Sequence, residues 1–240
     1  MPRNNYFQFK QFRIIQEHSA MKVGMDGVLL GAWTDTSAAE RILDIGTGTG
    51  LIALMIAQKN SSAQIDAIEI DPDAFREAVL NVQQSPWSKR IQIELSAFQD
   101  FIVQSDRKYD LIVSNPPFFA KDGLKAHAQN RAQARHSNSL PLEVLISGAA
   151  NMLTETGRIA LILPVKSLQE TQQLCVPNKL YISRLCRIKP NPIKPDFRIL
   201  FELAQKECVT REDHLMIEFE THHDYTPEYK KLTRDFYLKF

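Results

Sequence analysis

Two short segments carry residue types that could do chemistry. One is Asn115-Pro116-Pro117-Phe118, directly after the strand-like run YDLIVS (109–114); the other is the loop DIGTGTG (44–50). In the first, an amide side chain and a proline carbonyl stand beside an aromatic face. The prolines fix φ and donate no N–H, so the corner is stiff and its carbonyl stays aimed. Such acceptors suit an amino group on a flat ring or an amide, whose lone pair is delocalised. Drawing its two protons toward acceptors favours a tetrahedral nitrogen and frees the pair for an electrophile. Phe118 would stack the ring, worth roughly 1–3 kcal/mol by analogy with other base–aromatic contacts. No strong base is needed, because the alkylated nitrogen is cationic and sheds its proton readily.

In the second segment, Gly46, Gly48 and Gly50 follow a short apolar strand and open a helical run. The carboxyl end of a strand is the ligand-binding edge of an open α/β sheet, and glycine there permits positive φ and close backbone approach. Leu51 breaks the dinucleotide pattern G-x-G-x-x-G, and no Gly-Lys-Ser/Thr follows for a phosphate loop, which counts against NAD and ATP. S-adenosylmethionine (SAM) has no phosphate; it offers an ammonium, a sulfonium and a ribose. Asp44 at the end of the first strand, and Glu69 at the end of the second, 19 residues beyond Gly50, suit such a ligand. Together the segments imply methyl transfer from SAM to a weakly nucleophilic nitrogen. Each also has a plainer reading: turn glycines with solvated acids, and a Pro-Pro turn ending a strand with Phe118 in the core.

The elements that must position these residues alternate. Strands are expected at 41–45, 64–70, 91–95, 109–114 and 157–164, and helices at 51–59, from Pro72, at 98–103 and at 142–153. Asp71 reads as an N-cap ahead of Pro72. This alternation predicts parallel βαβ units in a doubly wound α/β sheet. After a helix at 167–174, strands at 180–188 and 197–204 are joined by KPNPIKP, too short for a crossover helix. That predicts an antiparallel final pair. A further strand at 215–219 and a terminal helix at 227–238 complete the reading.

The chain has 240 residues, 44% hydrophobic and 24% charged, which suits one globular domain. Its three cysteines show no C-x-x-C spacing, arguing against a disulfide framework or zinc site and for a reducing compartment. The N-terminus lacks a signal-peptide apolar region, and the greasiest stretch, 42–57, contains Asp44 and glycines, so a cytoplasmic protein without a membrane span is expected. The histidines show no metal-ligand spacing, so no metal is expected; His222-His223-Asp224 reads as a polar turn. Ser114 lacks a G-x-S-x-G elbow. The net charge is only +1, but basic residues gather at 1–24, 121–136 and 184–198. Converging on one side, they would track a phosphate backbone.

At FQFKQF (7–12), AMKVGMDGVLLGAW (20–33), RILDIGTGTGLIALMIAQ (41–58), NVQQSPW (81–87), SNPPFF (114–119) and YTPEYKKLTRDFYLKF (225–240), the chain resembles the bacterial tRNA1(Val) adenine N6-methyltransferases, nearly end to end. The glycine loop and NPPF alone would also admit ribosomal-RNA guanine N2- and protein glutamine N5-methyltransferases; a non-catalytic SAM-fold binding module is the remaining alternative. The resemblance implies a class I Rossmann-like fold, a mostly parallel seven-stranded sheet with an antiparallel edge strand. It implies SAM as cosubstrate and the tRNA anticodon loop as substrate, with adenine 37 as the target; a monomer would suffice. It assigns Asn115, Pro116, Pro117 and Phe118 to the target amine, and Asp44, Gly46, Gly48, Gly50 and Glu69 to the cofactor. Lys22, Gly24 and Asp26 match its N-terminal block on the cofactor side, the plainer reading being N-capping by Asp26. Residues 1–40 would form an extension serving cofactor and RNA, and 41–240 the core. Many such enzymes place an acid after the third strand to accept from the SAM adenine; this chain has Ser96-Ala97-Phe98, so Ser96 or the backbone must substitute.

Overall fold

A computed structural model describes residues 5–117 and 140–240. An antiparallel pair, β1 (Tyr6–Gln8) and β2 (Arg13–Ile15), precedes helix α1 (Met25–Trp33). Then follow β3 (Arg41–Ile45), α2 (Leu51–Lys59), β4 (Gln64–Glu69), α3 (Pro72–Gln83), β5 (Ile91–Leu95), α4 (Phe98–Gln104) and β6 (Tyr109–Ser114). The second half holds α5 (Leu142–Asn151), β7 (Leu153–Pro164), α6 (Leu168–Cys175), β8 (Tyr181–Lys189), β9 (Arg198–Ala204), β10 (Arg211–Met216) and α7 (Pro227–Thr233).

The main sheet has the order β10-β8-β9-β7-β6-β3-β4-β5. β3 pairs in parallel with β4 on one side and β6 on the other. Successive crossovers therefore leave β3 in opposite directions and open a crevice at its carboxyl end, where ligands bind in open α/β sheets. The mostly parallel α/β fold and the β8–β9 hairpin are as expected. The sheet has eight strands rather than seven, and its antiparallel strand, β9, lies inside, between β7 and β8, not at the edge. The added edge strand is β10, parallel to β8. The strand expected at 215–219 lies earlier, at Arg211–Met216, because an edge asks for little burial and tolerates the polar start REDH.

Apolar side chains cover both faces of the sheet. One cluster packs α1, α2, α3 and α7 with the N-terminal arm; the other packs α4, α5 and α6. α2 is buried from Leu51 to Ala57 because it lies under both the sheet and α1. The α1–α2 contact explains two glycines four apart: a Cβ on Gly27 would come 2.9 Å from Leu51 Cδ2, and one on Gly31 2.8 Å from Met55 Sδ. Lys59 Nζ then donates to the carbonyls of Gly31, Ala32 and Thr34, satisfying the end of α1. The two chain ends meet as well. Lys10 N donates to the Phe236 carbonyl at 2.8 Å and its Nζ to the Phe240 carbonyl at 2.6 Å, beside stacked Phe9, Phe12 and Tyr237.

Candidate active site

The glycine loop turns because its glycines accept φ values of +69° (Gly46), +59° (Gly48) and +84° (Gly50), which side-chain-bearing residues rarely adopt. The N–H groups of Gly46 and Thr47 both donate to the Ile68 carbonyl, fastening the loop to the end of β4. A Cβ at Gly46 or Gly48 would meet nothing within 4 Å, so the loop presents bare backbone to open space. Gly50 is different: it N-caps α2, and its Cα side faces Ala78 of α3.

Two acids hold this loop. Asp44 Oδ2 accepts from Thr47 Oγ1 at 2.6 Å and from Ala53 N at 3.1 Å, tying the loop to the first turn of α2. Its other oxygen, Oδ1, is fully buried with no partner among the described residues. Burial pushes this carboxyl up to about 7, against the hydrogen bonds from Thr47 and Ala53. Glu69 accepts three backbone N–H groups: Gly48 at 2.7 Å, and Ile70 and Asp71 at 2.9 Å each. Asp71 caps α3 as expected, accepting from the N–H groups of Asp73 and Ala74.

The second segment is fixed beside the first. Ser114 Oγ donates to the Ile45 carbonyl at 2.8 Å. Asn115 is half-buried, Pro116 buried and Pro117 exposed, and the Asn115 side chain makes no hydrogen bond among the described residues. Phe118 lies outside the described residues.

Between the segments opens a cavity of about 520 Å³, within the usual range for small-molecule sites. Of the residues expected at the site, Gly46, Gly48, Glu69, Ser96, Asn115, Pro116 and Pro117 line it. Asp44 and Gly50 lie behind the loop, outside the lining. Lys22, Gly24 and Asp26 do not line it either. Gly24 precedes α1 as its N-cap residue, Lys22 Nζ donates to the Gln16 carbonyl, and Asp26 accepts from Arg198 Nε at 2.8 Å. Asp26 is thus no N-cap; it pins α1 to the start of β9. α1 reaches the corner through its next residue, for a Cβ on Gly27 would sit 4.0 Å from Asn115 Nδ2.

The structure adds lining residues that the sequence reading lacked: Ser19, Ala20 and Met21 from the arm, exposed Ile70, and Gln99 in the first turn of α4. The arm is placed by two residues of α3. Glu77 accepts from the N–H groups of His18 (2.7 Å) and Ser19 (3.1 Å) and from the Ser19 hydroxyl. Burial pushes its carboxyl up, but these donors outweigh it and the group sits below its ordinary value. Asn81 accepts from Ile15 N at 2.7 Å and donates to the carbonyls of Ile15 and Thr49, joining arm, helix and glycine loop. Their acidic or amide character was visible in the sequence; their partners, more than thirty residues away, were not.

The basic segments are partly spent on structure. Arg184 pairs with Glu202 and lies over the Trp33 ring, Arg187 pairs with Glu212, and Arg198 with Asp26. The segment 121–136 lies outside the described residues. His222 and His223 form a turn as expected, bridged by Glu218 and Tyr225 and lying outside the cavity lining. Among the described residues, no helix is long and apolar enough to cross a membrane.

Residues 19–174 match the Methyltransferase small domain family. A tRNA1(Val) (adenine(37)-N6)-methyltransferase of Trichodesmium erythraeum (strain IMS101) is 46% identical over 98% of this chain and 99% of its own. Those of Christiangramia forsetii and Parabacteroides distasonis are 42% and 44% identical over the same shares. The fold also resembles a crystal structure described as a predicted O-methyltransferase from Agrobacterium tumefaciens, at TM-score 0.67 and 20% identity, covering 88% of this chain and 96% of that one. A second likeness is TYW2 of Pyrococcus horikoshii in complex with MeSAdo, at TM-score 0.58 and 14% identity over 84% and 71% of the two chains.

Proposed function

The chain belongs to the family of tRNA1(Val) (adenine(37)-N6)-methyltransferases, an enzyme of SAM-dependent adenine N6 methylation in tRNA; from that premise we propose that the cavity between Glu69 and Asn115 takes the cosubstrate and that Asn115 and Pro116 hold the acceptor amine. The observation that carries this reading is one cavity lined by both the glycine loop and the Asn-Pro-Pro corner. When bound there, SAM supplies a methyl group made electrophilic by its sulfonium.

The chain's own residues fit that ligand. Gly46 and Gly48 leave room for close backbone approach. Glu69 uses three acceptor positions on backbone N–H groups, and a carboxylate has about four, so one remains for a ribose hydroxyl. Exposed Ile70 offers an apolar face to the adenine of SAM, with Ser96 and Gln99 as polar neighbours in place of an acid. Asp44 acts from behind the loop, holding it through Thr47 and Ala53.

At the other end, the Asn115 side-chain oxygen has no hydrogen-bond partner among the described residues, and the Pro116 carbonyl follows it. Accepting the two amine protons, they turn the nitrogen toward tetrahedral geometry and expose its lone pair along the line to the cofactor. Phe118 would stack the base. The target base leaves the anticodon-loop stack to enter, which costs least for an unpaired loop nucleotide. Because Ser19, Ala20 and Met21 line the same cavity, residues 1–40 serve the cofactor side through 19–21 rather than through Lys22, Gly24 and Asp26. We infer a monomeric working unit and assign its work to the cytoplasm, where tRNA is matured.

The test is to incubate unmodified tRNA1(Val) with methyl-labelled SAM and locate the label by nucleoside mass spectrometry. N6-methyladenosine at position 37 is expected; label on guanine, or only on protein, would overturn the assignment.

A further inference from the structure

The loop joining β8 to β9 (190–197), with Lys189 at its root, emerges at the same edge of the sheet as the Asn115 corner. β9 runs antiparallel, so its first residue, Arg198, pairs with Pro164, the last residue of β7, and β7 neighbours β6. Two strand spacings, roughly 10 Å, separate the foot of the loop from the acceptor corner. Arg198 is tied to Asp26 at the start of α1, and the following Gly27 abuts Asn115. The loop is therefore braced against the element that walls the acceptor side.

It is also stiff and oddly surfaced. Pro190, Pro192 and Pro195 limit its backbone, and Asn191 Oδ1 accepts from the N–H groups of Ile193 (3.2 Å) and Lys194 (3.0 Å). Its root is held from the far side by Ile217 N and Glu218 N, which donate to the Lys189 and Pro190 carbonyls. The arginines nearby are committed to Glu202, Glu212 and Asp26, but Lys189 and Lys194 have no ion-pair partner among the described residues. Ile193 stands 78% exposed beside Lys194. One acid, Asp196, lies at the foot. A rigid turn that holds two ammonium groups, without an ion-pair partner among the described residues, around an exposed apolar tip has no evident role in folding. It fits a chain of phosphates with unstacked bases between them.

We propose that the β8–β9 loop is the arm that grips the RNA backbone beside the extruded base, with Lys189 and Lys194 on phosphates and Ile193 against a base or ribose face. This rests on the tRNA reading above. It makes RNA binding depend on a segment that contributes nothing to the cofactor cavity.

The test is the Lys189→Ala/Lys194→Ala double variant, with Lys206→Ala, beyond the opposite end of β9, as control. Binding of unmodified tRNA is measured from 50 to 300 mM salt, with SAM affinity and wild-type methylation of the same tRNA in parallel. Each phosphate contact contributes about 0.7–0.9 to the salt slope, so two lost contacts lower it by about 1.4–1.8 and weaken binding at 0.15 M salt by roughly 10- to 30-fold. SAM affinity stays unchanged, and Lys206→Ala binds like wild type. A double variant with wild-type tRNA affinity and slope, or equal weakening by Lys206→Ala, overturns the assignment of the loop. Wild-type methylation of the tRNA separates that outcome from failure of the underlying function.

Discussion

The Ser114 hydroxyl donates to the Ile45 carbonyl across 2.8 Å. This bond joins the last residue of the strand that presents Asn115 to the last residue of the strand that feeds the glycine loop. It therefore ties the Asn-Pro-Pro corner to the glycine loop, and on the proposed reading it helps set the spacing between methyl acceptor and methyl donor.

Ser114→Ala should cost about 1 kcal/mol of stability, the usual net worth of one hydrogen bond. The larger effect should fall on turnover, because a displacement of about 1 Å at a reacting centre can cost 10²-fold. We expect kcat to drop roughly tenfold or more with SAM affinity within about twofold. Stopped single turnovers and calorimetric titration check this; unchanged kcat with weakened SAM binding would place Ser114 on the wrong side of the site.

Glu69→Ala should act on both ligand and fold. Three backbone N–H groups lose their acceptor, and charge-assisted bonds of this kind are worth about 1.5–3 kcal/mol each before relaxation. We expect SAM affinity to fall by about 100-fold and the unfolding free energy by about 2–4 kcal/mol. Glu69→Gln should recover part of the stability but less of the affinity. Intact SAM binding in Glu69→Ala would remove the carboxylate from the ribose site.

Glu77→Gln should loosen the arm. The carboxyl lies below its ordinary value because His18 and Ser19 donate to it despite its burial. The stabilisation is accordingly complete above pH 4.5 and lost as pH falls through the lower folded value. At neutral pH the variant should show faster hydrogen exchange at 17–21 and a raised KM for SAM, since Ser19–Met21 line its cavity. Exchange at wild-type rates would show that the arm is held by its aromatic packing alone.

Asp44 predicts the opposite pH trend. Its folded value of about 7 lies above the ordinary 3.8, so the fold prefers the protonated group. That preference is fully expressed below pH 4 and is lost as pH rises through about 7. In the ligand-free protein, the stability advantage of wild type over Asp44→Asn should shrink between pH 5 and pH 8 by a few kcal/mol at most. Denaturant unfolding at the two pH values measures it; parallel pH dependence in both proteins contradicts it.

What the sequence disclosed was local. Gly46 and Gly48 announce positive φ at a strand end, Asp71-Pro72 announces a helix start, and Asn115-Pro116-Pro117 announces a rigid corner, each through chemistry contained in a few consecutive residues. What stayed hidden was pairing at long range. Asn81 meets Ile15 and Thr49, Glu77 meets Ser19, and Asp26 meets Arg198 across 172 residues; no spacing rule connects such positions. β1 and β2 have three residues each, too few to show a period. The block around Gly24 and Asp26 resembles its family strongly, yet its physical purpose emerged only from the fit of Gly27 and Gly31 against α2. Gly27 of that block lies beside Asn115, while Ala20 and Met21 at its start line the cavity.

The central claim is that the Asn115 corner acts on the acceptor nitrogen and not on the cofactor. The most direct test is the rate of N6-methyladenosine formation by Asn115→Ala in a single turnover on unmodified tRNA at saturating SAM. A hydrogen-bonding group that acts mainly in the transition state is worth about 10²–10³ in rate. The account predicts a loss of that size with SAM and tRNA affinities within about threefold of wild type. A wild-type rate, or a loss matched by an equal loss of SAM affinity, would contradict it.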